Sequence, residues 1–482
     1  MFAAIEIGST TLKVSPTFDK DFFDKIRAET SFRVFGCEYS PKYRNQGWDG
    51  MINPFRNDQT APVGLYYRIK RILKRAGYKV EVVYLIDYPP KGTIYAHGLT
   101  LADFQIQIAE LAVEYRICVF SAPIRSGKTA IISAIINRID QYPVCVVTKY
   151  KDLVQQTRSA IAEHTQKAIG CFSESKFKPA DIWVTSYEAL NALNRGVKSA
   201  KLMERNKYVL EAISATRVLL LDECQFVGAA TKTNKALNLY TNVGYRIGFS
   251  GTPKKDKISA RQLEVLVGPI IKKIKYKKLI DSGRLTQPKV YIYELPNDWF
   301  DFSLDDYADI YKCNIVNNSS RNAFIAELVR KLYEASKSSY IMVSWKEHGF
   351  NLQRMIPNSF FMHGATATDS RFDLYEAVQT KKLTCLIGTV GKIGLNLPKL
   401  DAVINAEGYA SSVITIQKMR SLTACEGKRH GFVLDFIDSG KHLFLNSRKR
   451  LKIYYGLDGF EVKLKRVTAN NFRRSQDGAV AE

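Results

Sequence analysis

No stretch of this chain reaches the roughly 18 consecutive apolar residues of a membrane-spanning helix, and the opening MFAAIEIGSTTLKV lacks the basic start, apolar middle and cleavage site of a secretory leader. A cytoplasmic protein without a membrane partner is expected. The eight cysteines, at positions 37, 118, 145, 171, 224, 313, 385 and 425, form no C-x-x-C pair. No histidine stands at ligand spacing either, so neither a disulfide framework nor a zinc site is indicated. In runs such as RICVF and VCVVT a reduced, buried thiol is expected. Histidines number only six and suggest no triad. Acidic residues are also short: 47 Asp and Glu stand against 71 Lys and Arg, a net charge of +24. A field of that sign attracts polyanions or acidic membrane surfaces, and nucleic acid is the favoured partner. The basic residues are spread over RIKRILKR, KKIKYKK and SRKRLK rather than gathered in one tail, as patches along a track would be.

What is present is α/β rhythm. A chain of 482 residues is too long for one ordinary core. Residues 1–98 read as a small α+β accessory domain: IEIGSTTLKV alternates around a Gly-Ser turn as a hairpin, and GLYYRIKRILKRAGYKVEVVYLI gives an amphipathic basic helix, a Gly stop and a strand. YPPKGT then breaks the periodicity. Over 99–275 apolar strands alternate with helices, in RICVFSAP, PVCVVTK, DIWVTS, RVLLLDE and YRIGFSGTP. Strands apolar almost throughout indicate a parallel sheet covered on both faces. The rhythm returns over 276–445 in SSYIMVSW, SFFMHG, KLTCLIGT, DAVINAE and RHGFVLDF, joined to the first lobe through GPIIKKIKYKKLIDSGRLTQP. Residues 446–482 read as a C-terminal extension with a frayed end.

Two motifs carry chemistry. SAPIRSGKT, residues 121–129, stands between a buried strand and a helix. There backbone N–H groups can wrap phosphates, Lys128 can reach the outer ones and the Thr129 hydroxyl can bind Mg²⁺. Gly127, Lys128 and Thr129 fit a phosphate loop, whereas Ala122 replaces its first Gly and Arg125 stands where nucleic-acid motors often carry another. The second motif is LLLDECQF. An acid ending a neighbouring buried strand holds Mg²⁺, and a following carboxylate polarises the attacking water, so Asp222 and Glu223 take those roles.

Both motifs, in this order, make the chain resemble superfamily 2 helicases and translocases, with two RecA-like lobes covering roughly residues 99–440. The resemblance implies ATP and Mg²⁺, with Arg125, Ser126, Gly127, Lys128 and Thr129 around the phosphates and Mg²⁺ on Thr129 and Asp222. In LTLADFQ it implies that Gln105 reads the adenine edge, with Phe104 or a neighbour packing near the base. TKYKDLVQQ and VTSYEAL resemble segments that touch the nucleic-acid backbone, bringing in Lys149, Lys151, Thr185 and Ser186. FSGTP, with Ser250, Gly251 and Thr252, resembles the element that couples hydrolysis to the lobe interface. VSWKEHG, with Trp345 and Lys346, resembles a further strand-contacting segment, and so does MHG. IGTVGKIGLNLP resembles the element in which Thr389, Gly391 and Gly394 face nucleic acid and nucleotide.

The family's closing element, Q-x-x-G-R-x-x-R, is irregular here: Gln417 is kept, but no Gly precedes Arg420, which falls one residue early, and Ala424 takes the second arginine's place. Arg420 is the leading candidate for the arginine that stabilises the transferring phosphoryl group, with Arg429 behind it. Asn396 stands where many relatives carry Asp. YSPKYRNQGWDGMINPF resembles the small domain preceding the motor in UvsW-type phage helicases, which remodel branched DNA, and the layout resembles the branch-migration helicases of T-odd siphophages. Tyr43 and Trp48 beside Lys42 and Arg44 could stack on exposed bases, although Trp48 and Phe55 are expected in the domain's own core. The resemblance implies an ATP-dependent helicase acting on single-stranded, forked or branched DNA in phage replication or recombination, in the host cytoplasm. An RNA helicase, a binding protein with a degenerate motor and a duplex translocase are the alternatives.

Overall fold

The structure, a computed structural model, describes residues 1–34, 37–123, 125–149, 151–173, 177–193, 200–229, 236–251, 257–366, 368–389, 399–409 and 430–468. They fall into two compact units, Met1–Ile274 and Lys275–Glu482.

Alternating apolar residues build the first sheet. Strands β1 (Phe2–Ile7) and β2 (Thr11–Ser15) form the antiparallel hairpin expected around the Gly-Ser turn. Two short strands, β3 (Phe32–Arg33) and β4 (Met51–Ile52), pair with each other. β5 (Thr60–Pro62) joins β2, and β6 (Lys79–Tyr84) joins β1 in parallel, giving the order β5-β2-β1-β6. The basic helix Tyr66–Arg75 buries Tyr66, Ile69, Ile72 and Leu73 and leaves Arg71, Lys74 and Arg75 exposed. Phe55 belongs to this core, as expected, whereas Trp48 is half-buried and donates its indole N–H to Met51 O at 2.9 Å.

The second sheet of this unit is built of β7 (Ile117–Ser121), β8 (Val144–Thr148), β9 (Ile169–Phe172), β10 (Phe177–Lys178), β11 (Ile182–Ser186), β12 (Val218–Leu221), β13 (Tyr245–Ser250) and β14 (Ile270–Lys273). Their order is β10-β9-β11-β8-β12-β13-β7-β14, and all pairings except β9 with β10 are parallel. β7, β8, β11, β12 and β13 are buried at every position, the pattern of a sheet covered on both faces.

The accessory sheet does not stand apart from this one. Ile117 and Val265 belong to the accessory core. The turn between β1 and β2 inserts Ser9, whose hydroxyl donates to Tyr240 O at 2.6 Å and accepts from Val243 N at 2.9 Å. At Gly64 a Cβ would lie 2.0 Å from the Glu264 carbonyl oxygen, a backbone approach that only glycine permits.

The second unit holds β15 (Gln287–Glu294), β16 (Ser339–Val343), β17 (Ser359–Met362), β18 (Cys385–Thr389), β19 (Ala402–Asn405), β20 (His430–Ile437) and β21 (Glu461–Arg466). Among the described residues every pairing is parallel, in the order β17-β18-β16-β19-β20-β15-β21. Two segments differ from the sequence reading. The basic joining stretch contains β14 and the helix Tyr276–Asp281, and the extension from residue 446 contains most of the helix Lys441–Tyr455 together with the edge strand β21. No helix among the described residues is long and apolar enough to cross a membrane.

Candidate nucleotide and nucleic-acid site

Parallel strands bring their carboxyl ends to one edge, where ligands of open α/β sheets bind. In the first unit that edge gathers Ser121 from β7, Thr148 from β8, Thr185 and Ser186 from β11, Asp222 and Glu223 after β12, and Ser250 from β13. Ser250 pairs with Ser121 in register, and Ala122 N donates to Ser250 O at 2.9 Å, so the FSG segment is fastened to the root of the 121–129 loop.

That loop bends through two left-handed residues, Arg125 (φ 68°) and Gly127 (φ 73°), and Gly127 caps the helix Lys128–Ile139. Position 125 therefore demands a conformation that costs an L-residue roughly 1–2 kcal/mol. Burial pushes the Arg125 guanidinium below its ordinary pKa. Glu223 is a second non-glycine left-handed residue here (φ 50°). Strained backbone of this kind clusters at functional sites.

Lys128 Nζ lies 2.6 Å from Glu223 Oε1 and 3.3 Å from Asp222 Oδ1, joining the two motifs across 95 residues of sequence. Glu223 is buried, and its Oε2 accepts from Gln225 Nε2 at 2.6 Å. A Cβ added at Gly251 would sit 3.8 Å from Lys128 Nζ and 3.9 Å from Glu223 Oε1, which puts the FSG segment beside the same pair. The buried Ser126 Oγ, Ser250 Oγ and Gln225 Oε1 have no hydrogen-bond partner among the described residues. An ammonium, two carboxylates, the Thr129 hydroxyl and orphaned polar atoms at a helix N-terminus suit a phosphate chain with its divalent cation. Gln225 is not among the candidates named from the sequence, where a lone glutamine two residues after Glu223 gives no signal of its own.

Gln105 is buried, and both ends of its amide serve the protein: Nε2 donates to Ser126 O and Oε1 accepts from Ala102 N, each at 2.9 Å. As placed, it braces the phosphate loop. Phe104 is buried beside it in the same helix. Thr185 and Ser186 are buried as well: the Thr185 hydroxyl donates to Phe172 O at 3.1 Å, and the Ser186 hydroxyl accepts from Ala189 N at 3.2 Å as a helix cap. Lys149 Nζ lies 3.9 Å from the Phe226 ring centre, drawn toward the Asp222–Glu223 segment. Lys151 opens the helix Lys151–Thr165, its side chain outside the described residues.

In the second unit Trp345 and Thr389 follow or end the adjacent strands β16 and β18, with Val343 and Thr389 in register. Trp345 is half-buried 5.4 Å from the Tyr311 ring, and Lys346 next to it is exposed. Gln417, Arg420, Gly391, Gly394, Thr252, Asn396 and Arg429 lie outside the described residues.

Residues 100–255 match the family model described as "Type III restriction enzyme, res subunit", and residues 12–83 match "DNA helicase UvsW, N-terminal". Along 471 residues the chain is 23% identical to the ATP-dependent DNA helicase uvsW of Enterobacteria phage T4, covering 90% of each protein. Among solved structures it is similar to the ATP-dependent Type ISP restriction-modification enzyme LlaBIII bound to DNA, with TM-score 0.56 and 14% identity over 86% of this chain and 37% of that one. It is also similar to S. cerevisiae Dbp5 bound to RNA and ADP BeF3, with TM-score 0.51 and 16% identity over 79% of this chain and 98% of that one. These structural likenesses establish the fold: RecA-like lobes with parallel sheets, preceded by a small α+β domain.

Proposed function

We infer that this chain, a UvsW-like superfamily 2 helicase by its two matched segments, spends ATP on moving DNA strands at forks and junctions. The hydrolysis of ATP and the handling of DNA follow from its relationship to uvsW; branch remodelling, and a role in phage replication or recombination, are the finer reading. The observation that carries the use of ATP is the Lys128–Glu223–Asp222 cluster beside the Ser126 and Ser250 hydroxyls, which have no partner among the described residues; the branch part is supported by the match of residues 12–83.

In this reading the loop amides and Lys128 hold the phosphates, with Arg125, Ser126 and Gly127 around them. Thr129 and Asp222 hold Mg²⁺, which when bound neutralises charge on the phosphate oxygens. As Lys128 turns toward the terminal phosphate it releases Glu223 Oε1, which then accepts a proton from the attacking water while Gln225 keeps Oε2 fixed. Arg420, with Gln417 and Gly394, is proposed to stabilise the transferring group, a contribution of about 10³–10⁵ in rate in related chemistry. Lys149, Lys151, Trp345, Lys346, Thr389 and Gly391 are proposed to grip the strand, with Thr185 and Ser186 contributing main chain because their hydroxyls are committed inside. Contacts of this kind carry no direct sequence information, so recognition is of shape.

The test is unwinding of a fork, a four-way junction and a linear duplex side by side, with ATP turnover measured with and without each DNA. Wild type is expected to favour the branched substrates and Lys128→Ala to fall to background turnover. Wild-type turnover in Lys128→Ala would assign hydrolysis to another site, and equal unwinding of all three substrates would remove the branch-remodelling part.

A further inference from the structure

Where the accessory sheet meets the motor lobe, the structure holds a cavity of about 440 Å³ lined by Tyr67, Arg68 and Arg71 from the basic helix and by Arg261, Glu264 and Ile270 from the lobe. One carboxylate organises it. Arg68 Nε and Nη2 donate to the two oxygens of Glu264 at 3.0 and 2.8 Å, and Arg261 Nη1 reaches Glu264 Oε2 at 3.3 Å. Gly64, in backbone contact with Glu264 and Val265, fixes the spacing of the two walls. The lining therefore carries three guanidiniums and one carboxylate, a surplus of two positive charges.

That surplus is costly as it stands. Burial pulls the Arg261 guanidinium below its ordinary pKa, and Arg68 and Arg71 add to the effect against Glu264 and Glu29. Arginine stays charged under such pressure, so the repulsion is relieved by an anion rather than by loss of a proton. Glu264 also restricts two of the forks, which reduces the entropy lost when they meet a planar or tetrahedral oxyanion. A latch between two domains needs only Arg68 and Glu264; it gives no reason for Arg71 and Arg261 to line the same cavity.

We propose that this seam is a phosphate-binding site, separate from the 121–129 loop, whose ligand is a backbone phosphate of DNA held against the accessory domain or a free polyphosphate. The site itself does not depend on the helicase reading; only DNA as the source of the phosphate rests on it.

The experiment uses the full chain and two arms. In the first, fluorescence anisotropy of a labelled fork is followed over a series of salt concentrations for wild type, Arg71→Gln, Arg71→Lys and Arg261→Gln. In the second, inorganic tripolyphosphate is titrated calorimetrically into Lys128→Ala, with and without Arg71→Gln, so that the phosphate loop does not contribute. Arg71→Gln is expected to weaken fork binding about threefold to tenfold and to flatten the salt slope by about one, with Arg71→Lys keeping most of the slope. ATP turnover without DNA should be unchanged in Arg71→Gln. Arg71 is exposed, so this variant tests the site even if Arg261→Gln loosens the seam, which a thermal melt reports. A flattened slope identifies DNA as the source. Tripolyphosphate binding lost with the slope unchanged identifies a free polyphosphate and equally supports the site. Unchanged slope together with unchanged tripolyphosphate binding overturns it. If Lys128→Ala kept full turnover, the proposed ATPase site would fall while the seam measurements would still be decisive.

Discussion

Each unit carries a cluster of buried or half-buried charge, and the two clusters are built on opposite plans. In the second unit Arg450 is fully buried, bonded to Asp435 and to the carbonyls of Gly408, Tyr409 and Phe436, while Arg321 bonds Asp438 at 2.7 Å and Ala406 O at 3.1 Å. Asn405 and Tyr454 take up Asp435 Oδ2 at 2.8 and 2.7 Å. Burial alone would raise the Asp435 pKa, but the charge of Arg450 and these hydrogen bonds outweigh it and hold the carboxyl below its usual range. At the first unit's cluster Lys128 and Asp222 keep side-chain exposures of 15% and 22%, the Ser126 and Ser250 hydroxyls have no partner among the described residues, and Arg125 and Glu223, neither of them glycine, sit at positive φ. A cluster that closes on itself fixes chain geometry. One left open and strained is equipped for a ligand.

The largest way to break this comparison is to open the closed cluster. Arg450→Ala leaves Asp435 buried without its cation and frees the carbonyls from which residues 408 and 409 continue the chain, so the second unit should lose about 3–5 kcal/mol. Because two units need not unfold together, the measurement is hydrogen exchange along 402–405 and 430–437 during denaturant titration, with 117–121 as the internal reference. A loss below about 1 kcal/mol would remove the structural role assigned to the network.

A smaller effect comes from pH. His348 is fully buried, with Nε2 2.9 Å from Asn322 Oδ1, and Asn322 Nδ2 donates to Val316 O, which turns its oxygen toward the ring and makes Nε2 the protonated nitrogen. Burial, with Arg321 nearby, pushes its pKa well below the imidazole range. Below the unfolded value of roughly 6.5 the unfolded chain then binds the extra proton, so stability falls as pH falls, by at most about 1.4 kcal/mol per pH unit. His348→Gln should flatten that slope between pH 6.5 and 5 in the same exchange experiment. An unchanged slope would mean that other groups set it.

The same contrast shows what was legible in the sequence. Central strands such as VLLL, and VCVVT up to its final Thr148, are apolar at every position because both faces are covered, and they stand out from composition alone. The edge strands Ile270–Lys273 and Glu461–Arg466 hid as a basic linker and a polar extension, because an edge faces water and carries lysines that discourage further pairing. Lys128, Asp222 and Glu223 could be named because their spacing to strand ends is fixed by the fold. Gln225 could not, since a single glutamine declares nothing until its amide is found on Glu223. The fusion of the accessory sheet to the lobe was invisible for a similar reason: Ser9, Gly64 and Arg68 make it through main chain and one carboxylate, and the lobe adds only the scattered apolar residues Ile117 and Val265 rather than an apolar run.

Arg125 gives the finest test of whether strain at the open cluster serves a ligand. Replacing it by glycine removes a left-handed penalty of about 1–2 kcal/mol but adds about 0.5–1 kcal/mol of unfolded-state entropy, so stability should change by less than about 1.5 kcal/mol. If the guanidinium only tolerates the turn, the KM for ATP should not move either. If it helps to hold phosphate, KM should rise about threefold to tenfold in Arg125→Gly, while Arg125→Lys, which keeps both charge and strain, should lose less. Steady-state kinetics on the three proteins separates these outcomes. A Gly variant as stable and as tight as wild type would show that a strained residue can occupy a phosphate loop without acting on the phosphate, and the open cluster would then rest on Lys128, Asp222 and Glu223 alone.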